Sequence, residues 1–340
     1  MQRRVTSTRH TSHATRHTLL MHSIFNALPG HEVPVGGISA GFQKLWADTP
    51  AKDSRATQLN LVLHLGLNTT PADAETQFRH TVEFAQRYPC RVVVLCPEPD
   101  PATEKVFRAK IYGECFLGKS GKDTRCCEFV MLAYPIGTHD FLQNQVSICL
   151  STDLPLYYWA HRFSANKRLA AYEYLLTRSR RVLFDSAEVP EDAFTFPWPN
   201  PAAVRDLAYT RTRPLRQTIG QFLSRYAPAD IVAGLRGVTI RHRRDFAPEA
   251  AAMAGWLKKG LARCGADADA IEFNVTGQDC TGCFSLAFDY GAAAKRFAWS
   301  ADLVERVAEF EGDLGHGRTT LTATARLLEP ADALSEAMFY

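Results

Sequence analysis

An almost unbroken apolar run, Arg91-Val92-Val93-Val94-Leu95-Cys96, constrains the fold of this chain more than any other stretch. A strand without polar alternation is typical of a parallel sheet that is covered on both faces. A strand predicted over residues 58–65 and a helix predicted over residues 71–87 precede it, with Pro71 where a first helical turn tolerates proline. The three segments form a βαβ unit, so we expect the two strands to be parallel.

A second unit of the same kind follows a polar turn at residues 151–154. Pro155 fixes its own φ and favours extended geometry before it, so the aromatic residues 157–159 are predicted to form a strand. A helix over residues 165–177 and a strand over residues 180–184 complete the unit. Polar residues follow both strands, and open α/β sheets often bind ligands at such strand ends.

The rest of the chain divides at a proline-rich segment, residues 190–201. Before it, an antiparallel hairpin over 106–116 and 127–134 and a helix over 139–149 are predicted. After it, the pattern predicts helices over 202–226, 248–264, 301–310 and 330–338, strands over 237–243 and 318–327, and an antiparallel meander over 271–275, 283–290 and 293–299.

The predicted fold class is α/β. A mostly parallel, three-layer N-terminal domain with an antiparallel hairpin spans residues 51–190, and a mixed α+β domain spans residues 200–340. Residues 1–50 are predicted to be a partly disordered extension with short packing helices. Residues 1–17 are rich in Arg, Ser, Thr and His, a composition that suits a transit peptide, a disordered arm or a start codon placed too early.

Composition narrows the class of protein. A hydrophobic fraction of 46% and a charged fraction of 22% are ordinary for a soluble globular chain. A net charge of +3 is too small to indicate a nucleic acid or a membrane as partner, and the apolar runs are too short for a membrane span. Nine cysteines without regular spacing favour reduced thiols in a cytoplasm.

Two short motifs have ordinary explanations. Residues 113–120 match the letters of a phosphate-binding loop, but the segment runs from strand to strand and is interpreted as a hairpin loop. Cys280 and Cys283 form a single CxxC motif without further metal ligands, so it predicts structural cysteines or, alternatively, a redox pair. We expect no metal site and no bound cofactor.

His161 and Arg162 follow the aromatic strand and would suit a catalytic base with an anion clamp. No nucleophile motif or glycine fingerprint accompanies them, so polar residues that close a strand are the simpler interpretation. Basic clusters at residues 211–216 and 241–244 are interpreted as solvated faces or as contacts for an acidic protein or a phosphate.

Several stretches occur in the order of one known family. They are Asp153-Leu154-Pro155 with its aromatic strand, Arg181-Val182-Leu183-Phe184-Asp185-Ser186, and Asp206-Leu207-Ala208-Tyr209-Thr210-Arg211. Shorter matches are Leu59-Asn60-Leu61-Val62, Pro89-Cys90-Arg91-Val92-Val93, Glu114-Cys115 and Cys127-Glu128.

On these residues the chain resembles the OpcA family, described as glucose-6-phosphate dehydrogenase assembly proteins, from about Leu59 to Phe222. Tyr158-Trp159 stands where the family commonly has paired tryptophans, an exchange that keeps the aromatic surface.

The resemblance implies a non-enzymatic, cytoplasmic partner of glucose-6-phosphate dehydrogenase. Such a protein would form a hetero-oligomer with the enzyme and promote its assembly or activity in the oxidative pentose phosphate pathway. The candidate contact residues are aromatic or Arg side chains of the family stretches: Tyr158, Trp159, Arg162, Tyr209 and Arg211. Asp153, Pro155, Arg181, Asp185 and Ser186 are assigned structural roles.

Two alternatives remain open at this stage. An α/β enzyme that binds a sugar phosphate or nucleotide would use the strand ends near Asp153 and Asp185. A thiol-based redox sensor would use Cys280 and Cys283. Core packing is the competing role for Trp159, and its exposure to solvent distinguishes the two.

Overall fold

The structure is a computed structural model that describes residues 23–47, 57–99, 106–117, 124–163, 166–189, 194–291 and 295–340. Residues 1–22 and 48–50 of the extension predicted at residues 1–50 lie outside the described residues, as does the turn of the predicted hairpin, residues 118–123. The α/β class predicted from the sequence is confirmed.

Eight strands form the first sheet. They are β1 (His31–Val33), β2 (Leu59–Leu65), β3 (Cys90–Glu98), β4 (Arg108–Leu117), β5 (Thr124–Pro135), β6 (Leu156–His161), β7 (Arg181–Phe184) and β8 (Val204–Asp206). Their order is β1-β4-β5-β3-β2-β6-β7-β8. All pairs from β5 to β8 are parallel, and β4 and β1 extend the sheet as antiparallel strands. Both predicted βαβ units and the hairpin are therefore present.

The helices lie in sequence between and after these strands. They are α1 (Ile24–Ala27), α2 (Ile38–Ala47), α3 (Pro71–Arg87), α4 (His139–Cys149), α5 (Asn166–Ala170), α6 (Glu173–Arg178), α7 (Leu207–Arg211), α8 (Arg213–Leu223), α9 (Pro228–Val232), α10 (Ala247–Arg263) and α11 (Pro330–Phe339). The helix predicted over 165–177 is two pieces, and the buried Tyr172 lies in the break between them.

The first sheet is covered on both faces, which explains its apolar strands. One face packs against α2, α4 and α6, and the other packs against α1, α3 and α11. On β6 the alternation of side chains places Tyr158 in the first layer and Tyr157 and Trp159 in the second. The expected three-layer arrangement is confirmed.

Six strands form the second sheet. They are β9 (Gly237–Arg243), β10 (Glu272–Gln278), β11 (Cys283–Asp289), β12 (Arg296–Asp302), β13 (Val307–Asp313) and β14 (Thr319–Thr324), in the order β10-β9-β11-β12-β13-β14. Side chains of α8 and α10 share one apolar core with one face of this sheet. The other face carries Thr, Ser, Arg and Glu side chains around a shallow depression of about 720 Å³.

Three predictions for this half are wrong. Residues 204–206 form β8 instead of the start of the helix predicted over residues 202–226. Residues 301–310 form the end of β12, a turn and the start of β13 instead of a helix, although Leu303, Val307 and Phe310 have helical spacing. Asp302 Oδ1 accepts hydrogen bonds from the backbone N–H groups of residues 304 and 305, which fixes a turn there. In addition, β10 is parallel to β9 and is not part of the meander.

The first sheet also receives residues from beyond the proline-rich segment. β8 adds its eighth strand, and Leu334, Ala337 and Met338 of α11 pack into its core. The division into domains near residue 200 stays a prediction, but the chain returns to the first sheet after the second is complete.

The cysteines differ from the expectation of reduced thiols throughout. Cys115 and Cys126 form a disulfide, as do Cys280 and Cys283, and the other five cysteines are free. The register of the β4–β5 hairpin places Cys115 directly opposite Cys126. None of the described helices is long and apolar enough to cross a membrane.

Candidate functional site at the carboxyl edge of the first sheet

A hydrogen-bonded row of four side chains, here called the tyrosine–histidine chain, lies where β2, β5 and β6 end. His64 Nδ1 is 2.8 Å from the Tyr158 hydroxyl, and His64 Nε2 is 2.7 Å from the Tyr134 hydroxyl. The Tyr134 hydroxyl is in turn 2.6 Å from that of Tyr172. Parallel strands bring these residues together because their carboxyl ends meet at one edge.

The tyrosine–histidine chain is electrically neutral. Complete burial lowers the pKa of His64 from 6.5 to about 3, because the imidazolium would lose its hydration. Burial also raises the pKa values of Tyr134 and Tyr158 well above their usual value. A neutral imidazole with both nitrogens hydrogen-bonded is not a free base near pH 7, so His64 is a positioned structural group.

The loops after β2 and β6 are pressed together beside this chain. The N–H of Gly66 donates to the carbonyl oxygen of His161, and a Cβ at Gly66 would lie 2.0 Å from the carbonyl oxygen of Arg162. Only glycine fits that approach. Arg162 itself has φ = 50°, a left-handed conformation that a non-glycine residue adopts at a cost.

The polar groups after β6 form an ion-paired set around Asp73 at the start of α3. His161 Nε2 lies 2.8 Å and Arg162 Nε lies 2.7 Å from Asp73 Oδ2, and Arg162 also pairs with Glu188. Burial by itself raises the pKa of Asp73, but hydrogen bonds from His161 and Gln77 and the charges of His161 and Arg162 outweigh it and lower that pKa to about 2. His161 and Arg162 thus tie the end of β6 to the start of α3.

A second polar group, here called the arginine cluster, lies farther along the same edge and joins the two halves of the chain. Arg211 of α7 donates to both carboxylate oxygens of Asp185, at 2.5 and 3.0 Å, and its Nε donates to Glu249 of α10 at 2.8 Å. Asp185 follows β7 in the first sheet, whereas α10 packs on the second sheet. The bidentate geometry fixes the angle of the guanidinium.

Burial and charge act in opposite directions within the arginine cluster. Burial lowers the pKa of Arg211, but hydrogen bonds and charges of Asp185 and Glu249 outweigh it and raise that pKa. For Glu249, burial raises the pKa and the charge of Arg211 only partly offsets it. Removal of the arginine would therefore leave two poorly solvated carboxylates.

The two family stretches that the sequence separates by about twenty residues meet next to this cluster. Asp206 accepts from the N–H of Ser186 at 3.0 Å, from its hydroxyl at 2.9 Å and from the N–H of Ala208 at 3.0 Å. Asp206 thereby caps α7 and ties it to the end of β7. Burial raises the pKa of Asp206, and the hydrogen bonds from Ser186 act against that rise.

A groove of about 390 Å³ opens between the two halves at this point, here called the junction groove. Three aromatic side chains, Phe194, Tyr209 and Trp256, contribute to its lining together with Ser186 and Asp206. Phe194 is 61% exposed and Tyr209 is 38% exposed, which is high for large apolar residues. The guanidinium of Arg216 stacks 3.7 Å from the ring centre of Tyr209.

The structure corrects three of the five predicted contact residues. Tyr158 and Trp159 are 0% and 3% exposed, so they are core residues and have no surface to offer a partner. Arg211 is engaged inside the arginine cluster. Arg162 is half-buried in its ion pairs, and only Tyr209 presents a large part of its side chain to solvent.

The residues assigned structural roles are distributed over both edges of the sheet. Asp153 is exposed and Pro155 is half-buried before β6, at the edge opposite Asp185, so a pocket that uses both strand ends is ruled out. Arg181 begins β7 and is half-buried, while Asp185 and Ser186 belong to the junction.

Sequence reasoning missed the residue that holds the turn before β6. The side chain of Asn60 donates to the carbonyl oxygens of Ser151 and Leu154 and accepts from the N–H of Ser151. The sequence does contain a signal for this role, since Asn60 is a polar residue within an apolar strand. A polar side chain that is buried there requires hydrogen-bond partners.

Within the described ranges, no group of three His, Cys, Asp or Glu side chains is placed to hold a metal ion. Residues 81–196 match the sequence family described as the glucose-6-phosphate dehydrogenase subunit N-terminal domain. This stretch is similar to the OpcA family. No curated protein matches the chain.

The OpcA match runs from within α3 to Phe196 and so includes β3 to β7 of the first sheet, but not β1, β2 or β8. It includes Tyr134, Tyr158 and Tyr172 of the tyrosine–histidine chain and Asp185 of the arginine cluster. Tyr209 and Arg211 lie beyond its end, where the resemblance rests on the Asp206–Arg211 stretch of the sequence alone.

Proposed function

We propose that this protein is a non-catalytic assembly factor and activator of glucose-6-phosphate dehydrogenase in the cytoplasm, where it serves the oxidative pentose phosphate pathway. The observation that carries this proposal is the OpcA match over residues 81–196, which include β3 to β7 of the first sheet. The neutral, fully hydrogen-bonded His64 agrees with a structural role for the tyrosine–histidine chain.

The activation follows from differential affinity. A protein that binds the active arrangement of an oligomeric enzyme more tightly than the inactive one shifts the population towards the active form. To do so it needs a contact of about 1,000 Å² or more with a few well-packed anchors.

The junction groove is the proposed contact surface. Its exposed Phe194 and Tyr209 and half-buried Trp256 supply the aromatic anchors that protein interfaces favour. The exposed Lys259 lines the groove and the guanidinium of Arg216 stacks on Tyr209, so both add positive charge there and the complementary face of the dehydrogenase should be acidic.

The decisive experiment mixes the purified chain with its cognate dehydrogenase. The expected results are an earlier elution volume in size-exclusion chromatography and a higher rate of NADP reduction than with the enzyme alone. If both the elution volume and the rate stay unchanged, the proposed function is wrong.

Two variants then test whether the junction groove is the contact surface, independently of whether the protein binds the dehydrogenase. Phe194→Ala combined with Tyr209→Ala should weaken binding of the dehydrogenase by about tenfold or more, because truncated anchors commonly cost 2 kcal/mol or more. Phe141→Ala is the matched control, since Phe141 is 65% exposed on α4, away from the groove. Loss of binding with the control alone would place the contact on α4 instead.

The disulfide between Cys280 and Cys283 favours a second candidate function, a thiol-based redox sensor. Both cysteines are half-buried in the connection from β10 to β11, within reach of a small reductant. Activation of the dehydrogenase would then differ between oxidised and reduced protein. The same activation by the double variant Cys280→Ser, Cys283→Ser under both conditions would exclude this role.

A further inference from the structure

A cavity of about 380 Å³ opens at the carboxyl ends of β2, β3 and β5, and the proposed function does not use it. Its volume lies in the range of small-molecule sites. Leu65, Pro97, Ile136, Phe163 and Tyr172 are among its lining residues, so segments from four parts of the chain build it.

The cavity lies where the order of the strands reverses. From β2 the chain continues to β3 on one side of the sheet, whereas β6 lies on the other side of β2. At such a point the connections after neighbouring strands leave in opposite directions and open a crevice, the usual ligand site of open parallel sheets. The close contact between the Gly66 and Arg162 loops forms one boundary of this crevice.

Apolar groups dominate the cavity wall. Leu65, Leu67, Pro97, Ile136 and Phe163 supply aliphatic or aromatic surface, and among the side chains that the structure describes no Asp, Glu, Asn or Gln belongs to the lining. A sugar would leave several hydroxyl groups without partners against such a wall, which is costly. A flat heteroaromatic ring matches the wall better.

The tyrosine–histidine chain presents one hydrogen-bond donor to the cavity. Its three hydroxyls and one imidazole N–H supply four hydrogens, but only three hydrogen bonds join the four side chains. The spare hydrogen belongs to one end, either Tyr158 or Tyr172. Tyr158 is completely buried and has no other hydroxyl partner among the described residues, so the favoured arrangement assigns it to Tyr172, which lines the cavity.

A positive charge lies at the cavity mouth. Arg168 is exposed, lines the cavity and has no carboxylate partner in the part of the chain that the structure describes. The nearby His139 differs, because its Nε2 lies 3.2 Å from Asp140. Arg168 is therefore the group that would attract an anion, and its planar guanidinium suits a phosphate.

From these three features we propose that the cavity binds a nucleotide. The base occupies the apolar part and accepts a hydrogen bond from the Tyr172 hydroxyl, and the phosphate pairs with Arg168. The site is separate from the junction groove, so it can be occupied whether or not the chain binds a dehydrogenase.

Isothermal titration calorimetry of the full chain with AMP, adenosine and glucose 6-phosphate tests this assignment. AMP should bind with one site per chain, and adenosine should bind about tenfold more weakly because it lacks the charged group that pairs with Arg168. Glucose 6-phosphate should give no binding heat. Absence of AMP binding at millimolar concentration, or equal binding of glucose 6-phosphate, would overturn the proposal.

Variants locate the site. Arg168→Gln should weaken AMP about tenfold and leave adenosine unchanged, whereas Tyr172→Phe should weaken both about fivefold. Arg178→Gln and Tyr174→Phe are matched controls on α6 that should change neither affinity, since neither residue lines the cavity. Ala171→Phe, at an exposed position of the cavity wall, should block AMP without altering the core. Unchanged AMP affinity in Arg168→Gln, Tyr172→Phe and Ala171→Phe would refute the location.

Discussion

The tyrosine–histidine chain and the arginine cluster lie along the same edge of the same sheet, yet their ionisable groups respond to burial in opposite ways. In the first, the ionisable group gives up its charge, because burial lowers the pKa of His64 to about 3. In the second, the charges remain, because Arg211 lies between two carboxylates. Desolvation decides the protonation state of His64, because no counter-charge is near it. Coulomb attraction keeps Arg211 charged, because two carboxylates are near it.

The largest expected change in the free energy of unfolding comes from the loss of the charged Arg211. Arg211→Ala should lower the free energy of unfolding by about 3–5 kcal/mol, because it leaves Asp185 and Glu249 buried without a counter-charge. Urea unfolding at pH 7, followed by circular dichroism, measures this. Arg244→Ala is the control, since Arg244 pairs with Asp279 at the exposed surface and its loss should leave the urea midpoint unchanged. Equal effects of the two variants would contradict the contrast between buried and exposed pairs.

The neutral His64 should make the free energy of unfolding depend on pH in the acidic range. Below pH 6.5 the unfolded chain binds a proton at His64 that the folded protein excludes until about pH 3, so stability falls as the pH falls through this window. The contribution is about 1.4 kcal/mol per pH unit. His64→Gln should remove this part of the slope between pH 6 and pH 5, and the unchanged protein measured beside it gives the reference slope. An unchanged slope in His64→Gln would show that the imidazole is charged when folded.

The smallest expected effect is the loss of a tyrosine hydroxyl, and it should depend on whether that hydroxyl has a hydrogen-bond partner. Tyr158→Phe should lower the free energy of unfolding by about 1 kcal/mol, because His64 loses one hydrogen-bond partner. Tyr174→Phe should be neutral or slightly stabilising, because the buried Tyr174 hydroxyl has no partner among the described residues. Thermal unfolding of both variants beside the unchanged protein measures the difference, and a larger loss in Tyr174→Phe would reverse the assignment.

The sequence predicted the first sheet well because local signals agreed with tertiary packing. Pro71 and the capping Thr70 mark the start of α3, and the apolar run at residues 91–96 predicted a strand that is covered on both faces. The second sheet was harder to predict, since residues 301–310 combine helix-forming residues with helical spacing. Pairing of β12 with β13 overrides that local preference.

The candidate site was only partly predictable. The resemblance supplied Asp185, Ser186 and Arg211, but not their contacts with Asp206 and Glu249, because these depend on how α7 and α10 meet. His64 and Tyr172 belong to no sequence motif. They come close together only because of the order of the strands and the break between α5 and α6. Burial of Trp159 could not be read from alternation, because both faces of this sheet are covered.

The return of α11 to the first sheet has a consequence for synthesis on the ribosome. The whole second sheet is translated between β8 and α11, which at about 5–20 residues per second takes several seconds. During that time the surface that later receives Phe339, against Phe84, Tyr88 and Tyr157, is open to chaperones. Because α11 also packs beside α7, the helix that carries Tyr209, a nascent chain cannot present its finished junction groove to a partner before translation has passed α11.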